Sequence, residues 1–280
     1  MSLSSIAEKW DAIAFAGYNV LARLLYFYRY RKYRKYLKRN IELRDKHKGR
    51  RCFIVLNGPS LNNYDLTALS KEYVFCTNYF FQSEKYDIVK PDYYCITDNG
   101  CFSSSITEES DVYIGKILQR AKYSKFLFNI RYLDNFKPNN DIYLTYSKHM
   151  PNLFSIRNDL SKLSSNFISV SMYAINAAIF MGFSQIYILG YDFEPGILKH
   201  FYKDSETEEQ AKSKQAQEMI KDSVCGKYWQ YAIAQYQNYY IQRYAEKKGV
   251  KIYNCNENSY VRSFPFIKYD DVIESITKGE

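Results

Sequence analysis

The sequence of 280 residues lacks the patterns that mark several common protein classes. Its six cysteines include no C-x-x-C pair, which argues against a zinc or thioredoxin-type motif. Several of them lie within apolar runs, where cysteine is a small buried hydrophobe. No secretory signal and no internal repeat are recognisable. We therefore expect reduced cysteines and a cytoplasmic protein.

Phosphate-binding signatures and histidines are also scarce. The chain has neither a G-x-G-x-x-G nor a Walker A loop, and only three histidines. We expect His47, which lies in a basic segment, to be solvated, and His149 has no partner that the sequence identifies. His200 closely follows the end of a predicted strand. Because imidazole titrates near neutral pH, His200 is the candidate general base, although a lone surface histidine would be inert.

Charge is distributed unevenly along the chain. The net charge is +9, but 13 Lys or Arg and two carboxylates lie between Arg23 and Arg51, which gives +11 there and leaves −2 for the remainder. The pattern predicts a near-neutral domain, residues 49–280, that carries one basic segment, residues 1–48. The 30 tyrosines suit carbohydrate faces or membrane interfaces, or else reflect general surface use.

The basic segment is predicted to be an amphipathic helix. Small and apolar residues recur along it at spacings of three and four: Ile6, Trp10, Ile13, Gly17, Val20, Leu21, Leu24, Leu25 and Tyr28. Polar residues interrupt this run, which is too short to span a membrane. Aromatic and cationic residues then alternate from Tyr26 to Tyr36, which is typical of contact with anionic headgroups. We expect residues 6–48 to bind an anionic membrane surface. Packing on the same chain or in a homo-oligomer is the alternative, and nucleic acid is not expected.

Short apolar runs alternate with helical patterns after Gly49. Strands are predicted at 51–56, 73–77, 93–97, 125–130, 185–189 and 251–254, and helices at 61–69, 104–122, 169–181 and 228–248. Residues 134–166 are expected to be irregular, and residues of about 195–227 to form a lid-like insertion. The alternation predicts an α/β, Rossmann-like, mostly parallel sheet with helices on both faces.

Four predicted strands end in polar residues. These ends are Asn57-Gly58-Pro59-Ser60, Thr77-Asn78, Thr97-Asp98-Asn99 and Gly190-Tyr191-Asp192. Ligands of open α/β sheets bind beyond the carboxyl ends of the strands, and the N–H groups of the first turn are suited to a phosphate. Each end alone is a common turn, but the four together predict a site for a nucleotide-type donor.

These residues resemble the bacterial lipooligosaccharide sialyltransferases of glycosyltransferase family 42 and the related MptE-like proteins, named for 6-hydroxymethylpterin pyrophosphokinase. The matching segments are 57–61, 76–80, 169–173, 181–193 and 251–255, and the MptE-like group also matches His200-Phe201-Tyr202. The resemblance implies a metal-independent, inverting transferase without a cofactor, whose donor is a CMP-linked keto sugar such as sialic acid or Kdo.

The resemblance also implies roles for individual residues. Asn57, Gly58 and Ser60 approach the donor phosphate, and Asn78 contacts the nucleotide or sugar. Pro59, Thr97 and Gly190 are further predicted donor-binding residues. Ser169 and Ser171 lie on the cytidine side, Asp192 lies at the site mouth, and Tyr202 hydrogen-bonds the leaving phosphate. The sialyltransferases carry their base shortly before the last long helix, but residues 225–229 contain no histidine. His200, Asp98 or Asp192 is then the base.

We therefore expect a glycosyltransferase that acts on a surface-polysaccharide or lipid-linked glycan at the inner face of a bacterial cytoplasmic membrane. One alternative is a Mg²⁺-dependent pterin pyrophosphokinase. Another is a non-catalytic protein that binds nucleic acid or a partner through its basic segment.

Overall fold

The computed structural model describes residues 3–97, 102, 110–193 and 224–278. Eight parallel strands in those residues form a sheet in the order β6-β5-β4-β3-β2-β1-β7-β8. The strands are Arg51–Val55 (β1), Val74–Thr77 (β2), Tyr93–Ile96 (β3), Lys125–Asn129 (β4), Ile142–His149 (β5), Leu163–Ser165 (β6), Gln185–Leu189 (β7) and Lys251–Asn254 (β8). The predicted parallel sheet is confirmed.

Helices cover both faces of the sheet. They are Leu3–Arg39 (α1), Lys85–Val89 (α2), Ser110–Arg120 (α3), Val170–Phe180 (α4), Val224–Lys247 (α5) and Tyr269–Lys278 (α6). Alternate residues of β1 enter two separate cores: Phe53 packs in the layer that includes α1 and α6, and Ile54 packs in the layer of α4 and α5. The predicted helices on both faces follow from this alternation.

The chain reverses its direction across the sheet next to β1. Successive strands from β1 to β6 extend to one side, and the chain then returns to place β7 beside β1 on the other side. Such a switch point opens a crevice at the carboxyl ends of the two central strands, and ligands of α/β proteins bind there. The end of the sheet where the strands finish is called the carboxyl edge below.

The region 134–166 contains two strands that the sequence did not predict. The sequence did not reveal β5 and β6 as strands because buried polar residues interrupt their apolar patterns. The hydroxyl of Thr145 hydrogen-bonds with that of Tyr173, and Ser147 Oγ lies 3.1 Å from Ser164 Oγ. These contacts satisfy polar groups that would otherwise oppose burial.

Several predicted boundaries also differ. The helix predicted at 61–69 is two 3₁₀ segments, Pro59–Asn63 and Thr67–Lys71, since Asp65 Oδ1 accepts the backbone N–H of Thr67 and breaks the run. α3 covers residues 110–120 of the helix predicted at 104–122, of which residues 104–109 lie outside the described residues. α6 was not predicted. Residues 195–223 of the predicted lid lie outside the described residues, and α5 begins at Val224, before the predicted lid ends.

His47 is buried, so the prediction that it is solvated is wrong. Its Nε2 lies 2.6 Å from the hydroxyl of Tyr93, and its ring stacks on Phe183 at 4.7 Å. Burial, with the charges of Lys46 and Arg50, lowers its pKa to about 4. The backbone N–H groups of Asp45 and His47 donate to the carbonyls of Phe180 and Met181 at the end of α4, which holds this part of the basic segment against the protein.

Four cysteines are free, and they are buried, as predicted: Cys52, Cys76, Cys95 and Cys255. Burial raises the pKa of the Cys52 and Cys76 thiols, which makes thiolate formation unfavourable.

α1 runs antiparallel to β5. Asn19 exchanges hydrogen bonds with the backbone of Met150, just beyond the end of β5, while the Arg39 guanidinium donates to carbonyls from Asn139 to Ile142 at its start. The packed face consists of Asn19, Ala22, Tyr26, Tyr33 and Leu37. The predicted apolar stripe therefore lies on the opposite face. No helix in the described part of the chain is long and apolar enough to cross a membrane.

Candidate functional site at the carboxyl edge

The switch point is closed by backbone contact between the loops that follow β1 and β7. Gly58 N–H donates to the Gly190 carbonyl at 2.9 Å, which continues the strand ladder. A Cβ at Gly58 would collide with that carbonyl and approach Asp192 Oδ2 to 2.6 Å. Gly190 has a positive φ of 68°, which glycine adopts without strain. These two glycines allow the loops to approach closely.

Asp192 joins the same two loops through its side chain. Its carboxylate accepts the Ser60 N–H at 2.8 Å, the Ser60 hydroxyl, and Asn256 Nδ2 at 2.7 Å. The Ser60 amide, which the sequence predicted to face a donor phosphate, is thus directed at a carboxylate of the protein itself. Among the described residues, no group of three or more His, Cys, Asp or Glu is placed to hold a metal ion.

Asn57 is anchored at only one end of its carboxamide. Its Nδ2 donates to the carbonyl of Thr77 at 3.1 Å, which links the ends of β1 and β2. Its Oδ1 is buried and has no hydrogen-bond partner among the described residues. An unsatisfied buried acceptor costs about 1–3 kcal/mol, so this oxygen is suited to an N–H or O–H group of a ligand.

Asn78 links the ends of β2 and β3. Its Oδ1 accepts the Thr97 N–H at 3.3 Å, its carbonyl accepts the Tyr94 hydroxyl at 2.9 Å, and its backbone is left-handed with a φ of 44°. The Arg131 guanidinium, at the end of β4, donates to the Thr97 carbonyl at 3.4 Å and lies over the ring of Tyr132. A cation is therefore placed beside the Thr97 end of the site.

Ser169 and Ser171 lie at the start of α4. The Ser169 side chain caps this helix by accepting the Ser171 N–H at 3.3 Å, and the two hydroxyl oxygens are 2.6 Å apart. The buried hydroxyl of Tyr191, in the loop after β7, donates to Asn238 Oδ1 in α5 at 2.9 Å. Because α4 packs antiparallel to the strands, its positive end points toward the carboxyl edge.

The predicted donor residues therefore lie along one edge, in groups centred on Gly58 and Asp192, on Asn57, Asn78 and Thr97, and on Ser169 and Ser171. Their roles stay predictions. Asp98, His200 and Tyr202 lie outside the described residues.

Three residues of this edge were missed by the sequence analysis. The Tyr64 hydroxyl donates to the Cys255 carbonyl at 2.9 Å, and burial raises its pKa to about 12. Asn256 and Arg131 each lie two residues beyond the last residue of a strand, β8 and β4 respectively. The rule that polar residues at strand ends form the site would have identified both, whereas no sequence signal places Tyr64.

A cleft of about 790 Å³ lies at the opposite, amino edge of the sheet. Two of its cations, Arg44 and Lys162, pair with Asp159 at 2.9 and 3.3 Å. The predicted donor residues are not among those that line it, so we place the candidate site at the carboxyl edge.

Comparisons with known proteins match the chain to one family and to several solved structures. A family model described as 6-hydroxymethylpterin diphosphokinase MptE-like matches residues 28–195, three fifths of the chain. The Campylobacter jejuni sialyltransferase CstII, in complex with the substrate analogue CMP-3FNeuAc, is 17% identical, with a TM-score of 0.46 over 78% of this chain and 86% of its own. The monofunctional α-2,3-sialyltransferase Cst-I of the same organism is 18% identical, with a TM-score of 0.47 over 78% and 80%. No curated protein matches.

Proposed function

We propose that this chain, which belongs to the 6-hydroxymethylpterin diphosphokinase MptE-like family, is a glycosyltransferase. It moves a keto sugar, such as sialic acid or Kdo, from a CMP-linked donor to a surface-polysaccharide or lipid-linked glycan. The observation that carries the proposal is the convergence of polar strand ends at the β1/β7 switch point, where α/β folds bind nucleotides.

The donor lies across the ends of β1, β2 and β7. Asn57 Oδ1, which has no hydrogen-bond partner among the described residues, accepts a hydrogen bond from the donor. Gly58 contributes by letting the loops after β1 and β7 approach closely. Ser169 and Ser171 present hydroxyls and the positive end of α4 to the nucleotide. Asp192 is a positioning residue, since three donors already engage its carboxylate.

The reaction is a single displacement with inversion. The acceptor hydroxyl attacks the anomeric carbon while His200 takes its proton, and the bond to the phosphate oxygen breaks with its electron pair leaving on CMP. Tyr202 donates a hydrogen bond to the leaving phosphate, and Arg131 adds positive charge beside Thr97. The products are the glycoside, CMP and a proton on His200.

The engaged Asp192 also supports a reaction without Mg²⁺. A pyrophosphokinase holds its metal on carboxylates, and Asp192 would have to release the Ser60 and Asn256 donors to become a ligand. The experiment must therefore distinguish glycosyl transfer from the alternative, the pterin diphosphokinase reaction with ATP and Mg²⁺.

The test is CMP release from CMP-sialic acid and CMP-Kdo, with and without EDTA, beside a pterin diphosphokinase assay with ATP and Mg²⁺. We expect EDTA-resistant release that Asn57→Ala lowers at least tenfold. Asn63→Ala, an exposed position in the same loop, should leave it unchanged. Pterin diphosphorylation without CMP release would overturn the proposal.

A further inference from the structure

The face of α1 that points away from the protein is apolar over its first half. The packed residues Asn19, Ala22 and Tyr26 lie on one side of the helix. The opposite side exposes Trp10, Ile13, Leu21, Leu24, Phe27 and Tyr28, with exposures from 54% to 85%. Contiguous exposed apolar side chains of this kind mark an interaction surface.

The same outward face becomes cationic beyond Tyr28. At 100° per residue, Arg31, Lys32 and Lys35 continue the line of the apolar residues, and all are exposed. Lys32 and Lys35 lie over the rings of neighbouring tyrosines, at 5.3 and 4.8 Å from the ring centres. No ion pair to residues 29–38 occurs among the described residues. The face therefore has an apolar part near the start of α1 and a cationic part near its end.

The packing of α1 against β5 determines which edge of the sheet lies near the apolar part of the helix. Asn19 lies beside Met150, just past the end of β5, so residues 3–18 extend beyond the carboxyl edge. At 1.5 Å per residue this extension is about 24 Å long. The apolar start of α1 thus projects past the edge that carries Asn57 and Asp192.

We propose that α1 docks on an anionic lipid bilayer. Its apolar start inserts obliquely among the acyl chains and its cationic part contacts anionic headgroups, so that the carboxyl edge is turned toward the membrane. This inference does not depend on the donor or the reaction proposed above.

The charge pattern favours lipid over a second copy of the chain. Parallel pairing of two α1 faces would bring Arg31, Lys32 and Lys35 of both copies together, at a cost in like-charge repulsion. Antiparallel pairing along the whole face would place these cations against Leu21, Leu24 and Phe27. An anionic bilayer complements both parts of the face, and exposed Trp and Tyr suit its interface.

The experiment uses the tryptophans as probes, because the chain has only Trp10 and Trp229. Trp229→Phe leaves Trp10 as the sole reporter. With phosphatidylglycerol-containing vesicles, we expect a blue shift of Trp10 emission and quenching by lipids brominated in their acyl chains. In flotation assays Leu21→Glu/Leu24→Glu should abolish binding, and Arg31→Glu/Lys35→Glu should weaken it roughly tenfold or more. Tyr123→Glu, at an exposed site elsewhere, should bind normally.

Failure to float with anionic vesicles would overturn the proposal, as would equal binding to pure phosphatidylcholine. Quenching restricted to headgroup-linked quenchers would overturn the oblique insertion. A concentration-dependent dimer that Leu24→Glu dissociates, without lipid binding, would assign the face to a second copy instead.

Discussion

The carboxylate of Asp192 accepts hydrogen bonds from both the backbone N–H and the hydroxyl of Ser60, although the residues are 132 positions apart. One residue follows β7 and the other follows β1, so this contact closes the switch point. It also explains why residue 58 is glycine, since the Asp192 carboxylate and the Gly190 carbonyl occupy the space of a side chain. The shape of the candidate site thus depends on one pair of loops.

Removing the carboxylate should therefore destabilise the protein. Asp192→Ala leaves the Ser60 and Asn256 donors without their acceptor, and hydrogen bonds to a charged group contribute about 1.5–3 kcal/mol. We expect urea unfolding to show that the free energy of unfolding falls by about 2 kcal/mol. Asp134→Ala, at an exposed position, is the control and should change little. Equal losses in the two variants would contradict the role assigned to Asp192.

Gly58→Ala should be far more damaging than an alanine at a glycine with open surroundings. The φ of Gly58 is −71°, which any residue adopts, so the requirement is steric. Because an added Cβ must displace backbone atoms, we expect the free energy of unfolding to fall by more than about 2 kcal/mol. Donor binding should also become weaker. Gly115→Ala, inside α3 with no atom within 4 Å of the new Cβ, should instead gain about 0.5–1 kcal/mol. Thermal unfolding of both variants measures the contrast, and similar values would refute it.

Mild acid should destabilise the fold through its buried histidines. Burial lowers the pKa of His47 and His149 from 6.5 to about 4. Below pH 6.5 the unfolded chain takes up protons that the folded chain does not, so stability falls between pH 6.5 and 4 and is unaffected above that range. We expect a loss on the order of 1 kcal/mol per histidine, discounted for solvent screening. Unfolding of the wild type and His47→Gln at pH 7.5 and 5 tests this, because the variant should lose less on acidification. An identical decrease in both would exclude His47 as a cause.

His200→Ala should separate catalysis from donor binding. A general base contributes about 10²–10⁴-fold to a reaction rate. We expect turnover to fall by that factor while the affinity for CMP is retained. Full turnover in this variant, together with loss in Asp98→Asn, would assign the base to Asp98.

The strands at the centre of the sheet were predictable because their environment is uniform. Strands buried on both faces are continuous apolar runs, and RCFIV and QIYIL end at glycine or polar residues that mark the carboxyl edge. β5 was not predictable, since Thr145 and Ser147 interrupt its pattern and are satisfied by partners distant in sequence.

α1 shows a different limit of sequence reasoning. The helical spacing of its apolar residues was predicted correctly. The side that packs on the protein, however, contains Asn19 and Tyr26, while Leu21 and Leu24 face outward. Hydrophobicity alone does not tell whether a stripe contacts the chain's own core or another surface. The same limit applies to His47. Its neighbours in sequence are basic and suggest an exposed position, but the side chain is buried between Tyr93 and Phe183.

The most direct test of the proposed function is a thermal-shift titration of the purified protein with CMP, CDP, UDP, GDP and ATP, each with and without Mg²⁺. A ligand that binds only the native state stabilises it by RT ln(1 + [L]/Kd), so nucleotides tested at one concentration are ranked by their affinity. A CMP-linked donor at Asn57 predicts a CMP shift that EDTA leaves intact, Asn57→Ala abolishes and Asn63→Ala retains. Stabilisation by ATP with Mg²⁺ alone, or by no nucleotide, would contradict it.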